Sequence, residues 1–172
     1  LFRILIGFSL LGPSLAFAQC DEASTSDDLL SWMGQIEEAL RAGDESTAGR
    51  VAMVAEKRLP CLSERLPSQI AARVFRAIGA GVYVAGSTAR GKQWMLSAAE
   101  MDSMFEYGIG DLPAGHELGD VWLDQIDMTG ESRKTVPGKH FVEASVYLDG
   151  SSLKLPMAHE GRLHLLQIEK DG

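Results

Sequence analysis

The dipeptide Gly43-Asp44 divides a stretch, Trp32 to Pro60, in which apolar residues recur every three or four positions. On its N-terminal side Leu29, Met33, Ile36 and Leu40 fall on one helical stripe, and Glu37, Glu38 and Arg41 fall on the opposite one. Ser26 or Asp27 suits the N-cap, with Asp27 and Asp28 favourably set against the positive helix end. Gly43 stops this helix and Asp44 caps the next, which carries Ala48, Val51, Ala52, Ala55 and Leu59 on one face and ends at Pro60. The alanines let a packing partner approach closely. Two amphipathic helices joined by so short a turn must lie antiparallel, so the chain begins as helix on helix.

The pattern then repeats. Pro67 suits the first turn of a third helix, whose buried side is marked by Ile70, Val74, Ile78, Gly81 and Ala85. After Gly86, Ser87 or Thr88 caps a fourth helix bearing Trp94, Met95, Ala98, Met101 and Phe105. The spacing of Trp32, Ala48, Ala55 and Pro60 around Gly43-Asp44 resembles a tetratricopeptide unit. Phe75, Gly79, Gly86 and Ala98 form a second copy, with Gly91 in the place of Ala48 and an insertion between Pro60 and Pro67. The resemblance spans residues 27–105 and implies a scaffold that binds partners.

Periodicity fades from Glu106 to Arg133, where glycines and acidic residues accumulate. Only His116 to Ile126 reads as a short helix, docking through Leu118, Trp122 and Ile126; the rest of 107–133 reads as a solvated connector. Beyond Lys134 the period changes to that of strands. Phe141 to Leu148 is rich in strand formers, Asp149-Gly150 is a hairpin signal, Leu153 and Leu155 alternate on the return, and Arg162 to Ile168 reads as a last strand. The runs ASVYLDG from Ala144 and GRLHLLQIEKDG from Gly161, with Pro156 between them, resemble the PEGA family of small β modules. Leu148, Leu165 and Gln167 depart from that family's pattern. The resemblance, over 134–172, implies an accessory domain of an exported bacterial envelope protein. The expected class is therefore α+β: an N-terminal antiparallel helical array of two tetratricopeptide-like hairpins, 27–106, with a small C-terminal antiparallel β module.

The first residues predict the compartment. Arg3, an apolar run from Ile4 to Leu15 and then Ala16-Phe17-Ala18 follow the order of a secretory signal peptide, 1–18, leaving a tail at 19–26. The apolar run is too short for a membrane span. An exported protein, periplasmic or extracellular, makes its two cysteines, Cys20 and Cys61, a disulfide candidate. The other reading is a free tail cysteine and a buried packing cysteine. The formal charge of −8 becomes −9 without Arg3, and no Lys/Arg cluster is present, which argues against nucleic acid and anionic membranes as partners.

Candidate chemistry is sparse. His116-Glu117-Leu118-Gly119-Asp120 begins like a zinc-protease helix, with Asp120 where the second histidine stands. The plainer reading is a helix start with acidic residues suited to its dipole. His140, His159 and His164 have spacings that match no metal-ligand rhythm. Gly79-Ala80-Gly81 lies inside a helix-period segment rather than after a strand, so it is no phosphate loop. Arg65, Arg73, Arg76 and Arg90 read as a solvated basic face of the third helix, balanced by glutamates. No catalytic residue, metal or cofactor is expected. The expected function is a non-enzymatic scaffold of the cell envelope whose groove, through Trp32, Gln35, Arg73 and Arg76, takes a protein or peptide partner. The rivals are a metal-dependent hydrolase using His116, Glu117 and Asp120, and a structural component that binds glycan through the β module.

Overall fold

A computed structural model of the chain describes residues 3–6, 16–17, 20–129, 133–135, 144–152, 157–159 and 162–170. The strands are β1 (Arg3–Ile6), β2 (Ala16–Phe17), β3 (Arg133–Thr135), β4 (Ala144–Leu148), β5 (Ser151–Ser152), β6 (Met157–His159) and β7 (Leu165–Lys170). The helices are α1 (Ser26–Arg41), α2 (Glu45–Arg58), α3 (Ser68–Val84), α4 (Thr88–Met101) and α5 (Leu118–Asp127). The class is α+β, as the two periodicities require.

The N-cap of α1 is Thr25 rather than Ser26 or Asp27. The Thr25 hydroxyl accepts from the Asp28 amide at 3.2 Å, and the Asp28 carboxylate accepts from the Thr25 amide at 2.8 Å, a reciprocal capping box. Asp44 caps α2 by accepting from the Thr47 amide at 3.0 Å. These bonds hold the Asp28 and Asp44 carboxyls below their ordinary pKa. Leu29, Met33, Ile36 and Leu40 of α1 and Ala48, Val51, Ala52 and Ala55 of α2 are all buried. After Arg58 the chain tightens into a 3₁₀ turn, Leu59–Cys61, at Pro60.

Helix α3 packs against α1, α2 and α4, and is therefore buried on nearly every side from Ala71 to Val82. Close approach requires its small residues. A Cβ on Gly81 would lie 2.8 Å from the Ala48 carbonyl oxygen, and one on Gly91 of α4 would lie 2.7 Å from the Gly79 carbonyl oxygen. The glycine that replaces alanine in the second hairpin is thus what seats α4 on α3. The indole of Trp94, wholly buried, meets Phe75 edge-on at 4.8 Å and donates to Glu56 of α2.

Cys20 and Cys61 form a disulfide that closes a 41-residue separation. Beside it Ser24 bridges to the chain after α2, donating to the Cys61 carbonyl at 2.8 Å and accepting from the Ser63 amide at 2.9 Å. The tail and the end of the first hairpin are joined by covalent and hydrogen bonds together.

The larger sheet has the order β2-β1-β7-β4-β5, and β3 and β6 pair separately. Asp149 and Gly150, at φ 51° and 79°, make the two-residue turn between β4 and β5, whose mirror-image geometry suits the strand twist. Arg3–Ile6, within the expected leader, runs antiparallel to β7 from Arg3 opposite Ile168 to Ile6 opposite Leu165. Ala16–Phe17 of the expected leader pairs in turn with β1, and residues 1–2, 7–15 and 18, with Leu153, Leu155 and Pro156, lie outside the described residues. The last strand begins at Leu165 rather than Arg162.

The sheet is not a free-standing module. Leu165 belongs to the same hydrophobic core as the four long helices, and Ser97 of α4 donates to the Leu163 carbonyl at 2.5 Å. Arg162, with no exposed surface, is ion-paired with Glu100 of α4.

Candidate functional site

The expected groove residues do not form one surface. Trp32 is half-buried against the core, and Gln35 is exposed with its amide donating to Ser31 at 3.3 Å. Arg73 and Arg76, one turn apart on α3, instead line a cleft of about 260 Å³ between α1, α3 and the chain that follows α4. Its apolar wall is Leu40, Ala77, Ala80 and Phe105, and its other polar residues are Glu37, Arg41, Tyr107 and Asp111.

The basic face expected on the third helix dissolves into separate roles. Arg65 precedes α3 and stacks on Tyr147, its Cζ 4.4 Å from the ring centroid. Arg90 lies on α4 and pairs with Glu56 at 2.5 Å. Arg73 is held by Glu37 through two hydrogen bonds of 3.0 and 2.6 Å, which raises its pKa above the usual arginine value. Arg76 is buried rather than solvated, with only 7% of its surface exposed.

Burying a guanidinium costs several kcal/mol unless its charge is matched. Here the match is incomplete. Asp102, the nearest carboxylate, lies 3.6 Å from Nη1, and Nη1 has no hydrogen-bond partner among the described residues. The guanidinium stacks instead on Phe105, its Cζ 3.3 Å from the ring centroid, with Trp122 at 5.7 Å. Burial pushes the Arg76 pKa down, against the opposing fields of Tyr107 and Asp102, yet a guanidinium stays charged at any working pH. Tyr107 is pushed up to about 12, chiefly by burial.

The chain that builds this site is the stretch expected to be a solvated connector. Phe105, beyond the end of α4 rather than on it, meets Tyr107 and Trp122 edge-on at 5.2 and 5.6 Å. The Trp122 indole donates to the Phe105 carbonyl at 2.9 Å, so α5 fixes the loop from beneath. The Asp111 carboxylate accepts from the Gly108 amide at 2.8 Å and closes the loop's turn. Ala72, Arg76 and Ala80 fall four residues apart on one stripe of α3, and all three are buried.

The candidate metal residues are not gathered into a metal site among the described residues. His116 Nδ1 accepts from the Leu118 amide at 3.2 Å, while Nε2, 3.4 Å from Glu45, has no hydrogen-bond partner among the described residues. Glu117 and Asp120 are exposed. Among the described residues no three His, Cys, Asp or Glu side chains are grouped to hold a metal ion. His164 Nδ1 is 2.6 Å from Asp149, whose other oxygen accepts from the Leu165 amide at 2.8 Å. His159 lies on β6, and His140 lies outside the described residues.

The geometry thus defines a helical array with a small sheet docked on it and one cationic cleft on the α1–α3 side. No protein-family model, no characterised protein and no solved structure matches the chain. Among the described residues no helix is long and apolar enough to cross a membrane.

Proposed function

We propose that this chain is an exported, non-enzymatic interaction protein of the bacterial cell envelope, and that its α1–α3 face receives a protein or peptide partner. The observation that carries the reading is the cleft itself: a buried, incompletely matched Arg76 beside an exposed Arg41, with an apolar wall between α1 and α3. Polar groups converging on an apolar concavity are the usual form of a binding site. The disulfide supports export, because such bonds persist in oxidising compartments. His116 Nδ1 is already taken by the Leu118 amide, which supports binding over metal-dependent hydrolysis.

The test is a pull-down from envelope extract with the disulfide-bonded protein and with Arg41→Glu, which reverses charge at an exposed position on the cleft. A partner recovered saturably by the parent protein and lost with the variant supports the reading. Equal recovery by both, or none, overturns it. So does stoichiometric zinc in the purified protein that disappears on His116→Ala.

A further inference from the structure

Two buried guanidinium groups have nitrogens without hydrogen-bond partners among the described residues, those of Arg76 and Arg162. Their situations differ. Arg162 contacts the Glu100 carboxylate and donates to the Met128 carbonyl at 3.3 Å, so its charge is matched within the fold. Arg76 stands 3.6 Å from its nearest carboxylate and lines an open concavity.

The neighbouring groups divide into committed and uncommitted. Both oxygens of Glu37 are taken by Arg73. Arg41 forms no ion pair among the described residues, and the Tyr107 hydroxyl forms no hydrogen bond among them. The cleft therefore offers Arg41 and the Tyr107 hydroxyl without internal partners among the described residues, and Arg76, whose one carboxylate, Asp102, stands beyond hydrogen-bond distance at 3.6 Å. A carboxylate is the group that a planar guanidinium and a hydroxyl hold best, since it accepts at two oxygens in one plane. Glu37 and Asp111 on the same rim oppose a second negative charge.

We propose that the cleft binds a short-chain organic acid, one carboxylate on a small apolar body. Arg76, Arg41 and the Tyr107 hydroxyl take the carboxylate, and Leu40, Ala77 and Ala80 take the body. A cleft of about 260 Å³ lies just below the usual range for drug-sized ligands, so the body is small. This ligand would occupy the same cleft as the partner proposed above, and the peptide arm of the experiment separates the two.

The experiment is an NMR titration of the disulfide-bonded protein at low salt with isobutyrate, its neutral isostere isobutyramide, inorganic phosphate, and a short peptide ending in valine. The expected result is a saturable shift of the Ala77, Ala80 and Tyr107 amides with isobutyrate and none with isobutyramide. Tyr107→Phe and Arg41→Ala each weaken binding roughly tenfold, the size of one charge-assisted hydrogen bond. Arg76→Lys, which keeps charge but loses the planar fork, weakens it at least as much; if that variant does not fold, the other two decide. No saturable response to isobutyrate overturns the proposal. It is also overturned by isobutyramide or phosphate binding as tightly as isobutyrate, by the peptide binding where isobutyrate does not, or by Tyr107→Phe or Arg41→Ala binding unchanged.

Discussion

The side-chain amide of Gln167 closes the hydrogen bonding of the connector at Leu66: its oxygen accepts from the Leu66 amide at 3.0 Å, and its nitrogen donates to the Glu64 carbonyl at 2.8 Å. Gln167 is fully buried in β7, and Leu66 is fully buried between α2 and α3. One side chain thus serves the connector as a neighbouring strand would. Gln167→Leu removes both bonds and strands a buried N–H, so it is expected to destabilise by about 1–3 kcal/mol. Urea unfolding measures the loss, and hydrogen exchange locates it: protection of the Leu66 amide falls in the variant before global unfolding.

Gly150, at the tip of the hairpin, touches the same connector. A Cβ there would stand 2.5 Å from the Ser68 nitrogen and 2.7 Å from the Pro67 carbonyl carbon, and φ is +79°. Gly86 also has a positive φ, +91°, but nothing lies within 4 Å of its would-be Cβ. Gly86→Ala should cost only the backbone penalty, about 1 kcal/mol. Gly150→Ala must in addition displace backbone atoms, and should cost more than twice as much in denaturant unfolding. Equal costs would show that the hairpin tip is not seated on the connector.

The Cys20–Cys61 disulfide restricts the unfolded chain over a 41-residue separation. In the chain-entropy description that corresponds to about 4 kcal/mol of stabilisation. Cys20→Ser with Cys61→Ser is expected to lower unfolding stability by up to that amount while leaving the far-ultraviolet circular dichroism of the folded protein unchanged, because the core helices are packed without it.

Tyr107 makes stability depend on alkaline pH. Its phenol is pushed from 10.0 to about 12 in the fold, chiefly by burial. A raised folded-state pKa gives a contribution that is complete below the unfolded value of 10.0 and lost as pH rises through about 12. Between those values the unfolded chain ionises and the folded one resists. The parent protein should therefore lose stability more steeply across that window than Tyr107→Phe, as read by denaturant midpoints from pH 9 to 12.

Much of the framework was legible in the sequence, and the limits were physical. The stripe Leu29, Met33, Ile36 and Leu40 is buried as its period demands, and Gly43-Asp44 turns and caps as its residue types demand. Asp149-Gly150 makes its hairpin because Asp tolerates, and Gly favours, a positive φ. The departures from pattern were less legible. Gln167 breaks an apolar alternation because its partner is a backbone segment about a hundred positions earlier. Arg76 resembles the exposed Arg73 of α3 in type, yet it is covered by Phe105 from beyond α4.

The sequence alone determined what depends on neighbours within a few residues: the helices, their caps, the turns, the change of period near Lys134 and the candidate cysteine pair. Tertiary structure alone decided which polar groups are buried and which face one another. Arg76, Tyr107 and Asp111 share a cleft because the chain after α4 folds back over α3, where Trp122 holds it by the Phe105 carbonyl. Local periodicity records which side of a helix is covered; it holds no record of what covers it.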